Sequence, residues 1–231
     1  MIANKHRASW VGWILLALLC ADARAASDAA KVDAALKQVT KALGDVRGVV
    51  ADAEYDEIVD NRPIHGSGKL YVDFRGFIRA EIGGDEPRTI VFRPPHLYVY
   101  RPSRKTVEVD DLTANPDRLA PYLVVGFVPA GSAMKKIYEV QLGGDDTLDE
   151  QPVVHFVLTP NSKKAKEVAR AIGMIQLWVD PATGFPARQK VIHASGLGAL
   201  DARIHNVTRN DTLPDSLFQP SWPEGTKFIR K

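Results

Sequence analysis

Between Gly66 and Asp110 the chain is a succession of short alternating runs, each closed by residues that break regular structure. The runs are Gly68–Phe74, Phe77–Ile82, Arg88–Phe92, Leu97–Tyr100 and Lys105–Asp110. The breaks are Arg75-Gly76, Gly83–Pro87, Pro94-Pro95 and Arg101–Arg104. Glycine punctuates by accepting positive φ, and proline by fixing φ and lacking the N–H that a ladder needs. Within a strand successive side chains take opposite faces, so Leu70, Val72 and Phe74 share one face and Lys69, Tyr71 and Asp73 the other. Val107 and Val109 likewise oppose Thr106, Glu108 and Asp110. A meander that is apolar on one side and wet on the other predicts a curved antiparallel sheet. Its concave face must be covered by another part of the chain.

The flanking segments supply cover and further strands. Ser27 and Asp28 are good N-cap residues, Val32, Leu36, Val39 and Leu43 follow at helical spacing, and Gly44 is placed to end the helix. From Val49 to Ile58 the period changes to two, with Val49, Ala51, Ala53 and Tyr55 on one face and Asp52, Glu54 and Asp56 on the other. Asp60–Pro63 reads as a turn. Beyond Asp110, Asn115 caps and Pro116 starts a short, very apolar helix through Leu119, Leu123 and Phe127, broken at Pro129 and Gly131. Such a helix is either a lid or plug inserted in the concavity or a plain packing helix. Strands resume at Lys136–Leu142 and Val153–Thr159, and a short basic helix falls within Asn161–Ala171. Met174–Val179 and Phe185–His193 flank the turn Asp180–Gly184, and a last strand runs from about Leu200 to Arg209. The tail, with Pro214, Pro220, Pro223 and Gly225, reads as a fitted strap rather than regular structure. The fold class is therefore mainly β (α+β).

The N-terminus reads as an export signal. Lys5, His6 and Arg7 precede an apolar run from Trp10 to Leu19, and Ala23-Arg24-Ala25 is an A-x-A cleavage site. The apolar run is much shorter than the roughly 20 residues of a spanning helix. Residues 1–25 are thus assigned to a secretory signal peptide and 26–231 to a single exported domain. Cys20 is the lone cysteine. Lipidation there would require a small residue before it, where Leu19 stands, and cleavage after Ala25 would discard it. The mature fold would then have no disulfide to support it. Removing Lys5, Arg7 and Arg24 from the 30 basic residues and Asp22 from the 28 acidic ones leaves the two signs in balance. A balanced chain argues against nucleic acid as a partner.

Catalytic signatures are missing. The sequence has no G-x-S-x-G, no P-loop and no H-E-x-x-H. His65, His96, His155, His193 and His205 are scattered and never at helical ligand spacing, and without Cys20 no thiolate chemistry remains. Asp145-Asp146 with Asp149-Glu150 lacks the alternating acidic pattern of a calcium loop and reads as a solvated turn. No cofactor, no metal and no enzymatic activity are expected.

Three groups of residues resemble the LolA-type periplasmic carriers, the outer-membrane lipoprotein-sorting proteins. The first is Gly68-Lys69-Leu70-Tyr71-Val72 with the hairpin ending in Leu97-Tyr98-Val99-Tyr100-Arg101-Pro102. The second is Leu177-Trp178-Val179-Asp180 with Thr183-Gly184-Phe185-Pro186-Ala187-Arg188. The third is Asn206, Asn210 and Leu213-Pro214-Asp215-Ser216-Leu217-Phe218, then Pro223-Glu224-Gly225. The resemblance implies a half-open, strongly curved antiparallel β-barrel with a helical lid or plug over an apolar cavity. It also implies a carrier that takes acylated lipoproteins from an inner-membrane ABC-type release complex to an outer-membrane receptor. In such carriers an arginine closes the strand matching Leu70–Asp73 and holds the lid. Phe74 stands there in this chain, leaving Arg75 and Arg79 as the candidate latch residues.

Parity then names the expected lipid-binding residues: Val49, Ala51, Ala53 and Tyr55; Leu70, Val72 and Phe74; Val107 and Val109; and, from the apolar helix, Leu119, Leu123 and Phe127. Ile78, Val91 and Val99 are further members. The same face could instead form a solid core. Besides a monomeric carrier, the residues allow a lipid-sensing regulatory module of the same fold, such as the RseB-like regulators, and an anchored receptor if Cys20 is lipidated. A hydrolase would need a nucleophile motif that the sequence lacks.

Overall fold

The computed structural model describes residues 28–59, 61–113, 134–144, 147–163, 165–210 and 212–230. The signal segment with Cys20 and the apolar stretch carrying Leu119, Leu123 and Phe127 lie outside the described residues, as do Asp145 and Asp146.

The described residues form 14 strands, most of them in one large sheet. In chain order they are β1 (Gly48–Val59), β2 (Arg62–Asp73), β3 (Phe77–Ile82), β4 (Arg88–Arg93), β5 (His96–Arg101), β6 (Thr106–Asp111), β7 (Tyr138–Leu142), β8 (Thr147–Leu148), β9 (Gln151–Pro152), β10 (Val154–Pro160), β11 (Ile172–Val179), β12 (Pro186–His193), β13 (Ala199–Asn210) and β14 (Lys227–Arg230). Strands β8 and β9 pair only with each other. The other 12 lie in the order β14-β6-β5-β4-β3-β2-β1-β13-β12-β11-β10-β7. Every neighbouring pair in that sheet is antiparallel except β14 on β6. The ends of this order, β14 and β7, do not pair, so the curved sheet stays an open barrel.

Curvature has a local cause at the centre. The β1–β13 register shifts between Val50 and Asp52, where Asn206 adopts φ 51° and donates its side-chain amide to Asp52 Oδ2 at 2.9 Å. Asparagine tolerates that left-handed conformation, and a bulge bends and twists its strand.

Among the described residues three α-helices sit with the sheet: α1 over residues 28–43, α2 (Met134–Ile137) and α3 (Lys166–Ala171). Helix α1 ends as its sequence predicts. Gly44 takes φ 59° and its N–H bonds back to the Thr40 carbonyl at 3.3 Å. Val32, Leu36 and Val39 form its buried stripe and pack with Phe156, Leu158, Ile175, Leu177 and Val191. The close approach of α1 to the β11–β12 turn needs Gly184 (φ 75°), where a Cβ would strike the Val39 carbonyl and the Leu43 N–H.

A second cluster, made of Val49, Ala51, Leu70, Val72, Ile78, Phe92, Leu97 and Val99, closes with Leu112, Phe185 and Ile204. The concave side thus holds two packed clusters, one under α1 and one at the ends of β1–β5.

Several local expectations change. Strand β2 begins at Arg62, so Arg62 and Pro63, expected in a turn, already pair with Val59 and Ile58 of β1. Met134–Ile137 is a helical turn, and only from Tyr138 does the chain extend. The tail is more regular than a strap: Asp215–Phe218 is a 3-10 turn, and Lys227–Arg230 adds parallel to Thr106–Val109. The convex face of the meander is also not wet. Phe218, with 0% exposure, packs on Phe77 at 5.7 Å between ring centroids, and Trp222 stacks on Tyr100 at 5.2 Å. Under this cover Val91, Tyr100 and Val107 are buried.

Candidate functional site

Directly opposed residues in an antiparallel pair point to the same side of the sheet, so register decides which residues face inward. Tyr55 opposes Ala202, which opposes Gln189; Ala53 opposes Gly68, which opposes Ile82. These rows line a cavity of about 620 Å³ on the concave face, between the two packed clusters. Strand β1 contributes Ala53, Tyr55, Glu57 and Val59, and β2 contributes Gly68 and Leu70. Strands β3 to β5 add Ile78, Ala80 and Ile82, then Arg88, Ile90 and Phe92, then Leu97, Val99 and Arg101. The far wall is Gln189, Val191 and His193 of β12 with Leu200, Ala202 and Ile204 of β13, and Ala171 and Ile172 close one side.

Small side chains keep the space open. Ala53, Gly68, Ala80 and Ala202 meet the cavity where larger residues would fill it. Gly68 is required for another reason: a Cβ there would collide with the Glu81 carbonyl of β3. At Gly66 a Cβ would strike the ring of Tyr55. The Gly66-Ser67-Gly68 stretch therefore lets β3 approach β2 and lets the Tyr55 ring lie across β2.

Of the residues expected from parity, Ala53, Tyr55 and Leu70 line the cavity, as do Ile78 and Val99. Val49, Ala51 and Val72 share the face but lie in the packed cluster beside it, with Phe74 against them. Val107 and Val109 are on the other side. They oppose Tyr100 and Tyr98, whereas Val99 opposes Glu108, so the inward residues of β6 are Thr106, Glu108 and Asp110. Val91, opposite Tyr98, is convex for the same reason.

Arg75 and Arg79 also lie away from the cavity. Arg75 forks onto Asp73 at 2.9 and 2.7 Å and reaches Asp215 Oδ1 at 2.8 Å. Arg79 bonds Glu81 at 2.8 Å and donates to the Leu217 carbonyl at 3.3 Å. Both bind the C-terminal segment to the convex face. The Arg75 hydrogen bonds hold the buried Asp73 carboxyl below its ordinary pKa.

One feature of the cavity has no counterpart among the residues picked from the sequence. Arg88 Nη2 donates to Glu57 Oε2 at 2.9 Å, and its guanidinium lies 5.4 Å from the Tyr55 ring centroid. Burial is the strongest single influence on Arg88 and disfavours its charge, but the Glu57 hydrogen bond and the negative charge of Glu57 and its neighbours together outweigh it and hold the pKa above the usual value. Burial also pushes the Tyr55 phenol above its usual pKa. Among the described residues, Tyr55 Oη, Arg88 Nε and Gln189 Oε1 are buried without a hydrogen-bond partner. The sequence signal was parity again, since Glu57 continues the Ala53, Tyr55 series and Arg88 precedes Ile90 and Phe92 at the same spacing.

No family model and no curated protein match this chain. Solved structures do. An uncharacterized conserved protein from Thermus thermophilus is 12% identical, with 85% of this chain and 97% of that one covered and a TM-score of 0.54. That likeness shows the fold. The similar structures also include a LolA superfamily protein from Nitrosomonas europaea, at 12% identity, 82% and 97% coverage and TM-score 0.42. Another is a putative outer membrane lipoprotein-sorting protein domain from Vibrio parahaemolyticus, at 11%, 79% and 95%, and 0.42.

Proposed function

We propose that this chain is a periplasmic carrier that holds the acyl chains of lipoproteins, or of other lipids, in the concave cavity. On this reading it takes them from an inner-membrane ABC-type release complex to an outer-membrane receptor. The observation that carries the reading is the cavity: about 620 Å³, walled largely by aliphatic side chains from eight strands, on the face that a solid core would have filled. That volume lies within the range of small-molecule sites. Its physical use is direct. Each methylene exposed to water costs about 0.8 kcal/mol, so a chain of about fifteen costs roughly 12 kcal/mol, and it crosses an aqueous space only inside an apolar container.

Ala53, Tyr55 and Leu70 are proposed as chain contacts, with Val49, Ala51 and Val72 as the packed floor beside them. The domain is proposed to act as a monomer after cleavage behind Ala25. Among the described residues no helix is long and apolar enough to cross a membrane.

Native mass spectrometry of the protein purified from the periplasm tests the reading, and a bound acylated species is expected. A second measurement separates carrying from sensing: transfer of a fluorescent acyl peptide from donor to acceptor vesicles. A carrier accelerates the exchange. A sensing module would bind the peptide and leave the exchange rate unchanged.

A further inference from the structure

We infer that the free edge of β14 is a docking site for an extended segment of another protein, which joins the sheet as a further strand. The segment that fits places acidic residues opposite Lys227 and Arg230 and apolar residues opposite Phe228 and Ile229. The inference goes beyond the cavity and stands whether or not acyl chains bind there.

The first support is the backbone. Strand β14 ends the order of the large sheet, so one side of it has no neighbouring strand. The Lys227 N–H bonds to the Lys105 carbonyl at 2.9 Å. Along a strand in a parallel pair, residues that bond to the neighbour alternate with residues that face away. Lys227 and Ile229 thus bond towards β6, and Phe228 and Arg230 turn their N–H and C=O groups to the open side. Such a row is a template for one more strand. It is also held in place. Phe218 and Trp222 anchor the preceding tail on Phe77 and Tyr100, so the edge is ordered before any partner arrives.

The second support is what the edge exposes. The register sets Phe228 beside Val107 and Ile229 beside Glu108. Phe228 and Arg230 therefore stand on the convex side, and Lys227 and Ile229 on the concave side. A short strand with flanking cations is one device that protects a sheet edge from pairing. Protection does not account for Phe228 at 61% exposure and Ile229 at 45%, adjacent in the chain and on opposite faces. An added strand would cover both.

Charge selects the partner. Lys227 and Arg230 are exposed and make no ion pair among the described residues, and the same holds for Arg104 and Lys105 in the adjoining β5–β6 turn. Glu108 and Asp110 of β6 are already engaged, and Glu224 is the one acid between Ser216 and Arg230. The edge is positive, and opposite charges facing each other across a strand pair are favourable. The same charges argue against a second copy. Two β14 strands paired in register, in either direction, would set cation against cation. The other end strand, β7, offers only Glu139 as an acid.

The test is fluorescence anisotropy with the full-length exported protein and three labelled peptides. One has the core Glu-Val-Val-Glu, the second Lys-Val-Val-Lys, and the third is the acidic peptide methylated on every core backbone nitrogen. At low ionic strength the acidic peptide should bind at least tenfold tighter than the basic one. Methylation, which removes the backbone donors and leaves the charge, should weaken it at least tenfold. The double substitution Lys227→Glu with Arg230→Glu should invert the charge preference, while Tm and acyl-probe affinity stay as in wild type, because both side chains are exposed and far from the cavity lining.

Absence of binding by the acidic peptide, equal binding of its methylated form, or a preference that the double substitution leaves unchanged overturns the docking site while the carrier reading stands. Self-association in sedimentation that the double substitution abolishes would make a second copy the occupant. Cosedimentation with phosphatidylglycerol vesicles that needs the two cations, without peptide binding, would make it an anionic lipid surface. Either result overturns the assignment to a protein segment.

Discussion

Ala51 and Ala53 lie two residues apart on the same face of β1, yet the structure gives them opposite surroundings. Ala51 is 1% exposed inside the packed cluster of Leu70, Val72 and Val49, while Ala53 borders the cavity. Replacing each by phenylalanine separates an empty space from a solid core. At position 51 the ring has no room, and overpacking costs about 1–3 kcal/mol. For a chain of this size that lowers Tm by about 2–12 °C. At position 53 the ring enters the cavity and gains apolar burial, so stability should hold or rise by about 0.5–2 kcal/mol. The same ring displaces on the order of four chain methylenes. At about 0.8 kcal/mol each, this is roughly 3 kcal/mol, or about two orders of magnitude in Kd for an acyl probe. Thermal melting and fluorescent-probe titration of the two variants side by side give the four values needed. Early melting of Ala53→Phe, or undiminished probe binding by it, would refute an open cavity at this site.

Further outcomes follow from the convex face and from strand contacts. Phe218→Ala should cost about 3–5 kcal/mol, because a wholly buried ring is lost, while probe binding by the folded protein stays unchanged. Arg79→Leu should likewise lower Tm slightly without trapping ligand, since Arg79 ties down the Leu217 carbonyl rather than a cavity wall; strong trapping in an exchange assay would contradict this placement. The Asp73 carboxyl has its pKa lowered by Arg75, so its contribution to stability is complete above the unfolded value near 4 and fades as pH falls through the folded one. Acid melting curves of wild type should therefore drop more steeply below about pH 4 than those of Asp73→Asn. Gly68→Ala sets a Cβ against the Glu81 carbonyl of β3 and should destabilise by more than about 1–3 kcal/mol, measured by denaturant unfolding, because backbone rather than a side-chain tip must move.

The strands, their breaks and the inward face of β1 and β2 are written in the sequence. Alternation and turn chemistry are local properties, complete within five to ten residues. That is why Phe77–Ile82 and the end of α1 at Gly44 were legible without any partner in view. The resemblance added the open-barrel architecture. What alternation cannot supply is sidedness. On β6 it separates Val107 and Val109 from Glu108, but both sets have one face of a curved sheet to occupy. Here the apolar pair turns outward, because Tyr98, Tyr100 and Trp222 cover the convex side.

The tail was equally opaque, since a four-residue strand at Lys227–Arg230 exists only through its parallel pairing with a strand more than a hundred residues earlier. The polar contacts in the cavity depend on Glu57 and Arg88, 31 positions apart, being brought together across the two strands between β1 and β4. Above all, hydrophobic periodicity reports which side chains leave water and not whether they meet one another. Ala51 and Ala53 carry the same signal, and only the packing of β2, β12 and β13 around them makes one a core residue and the other a cavity wall.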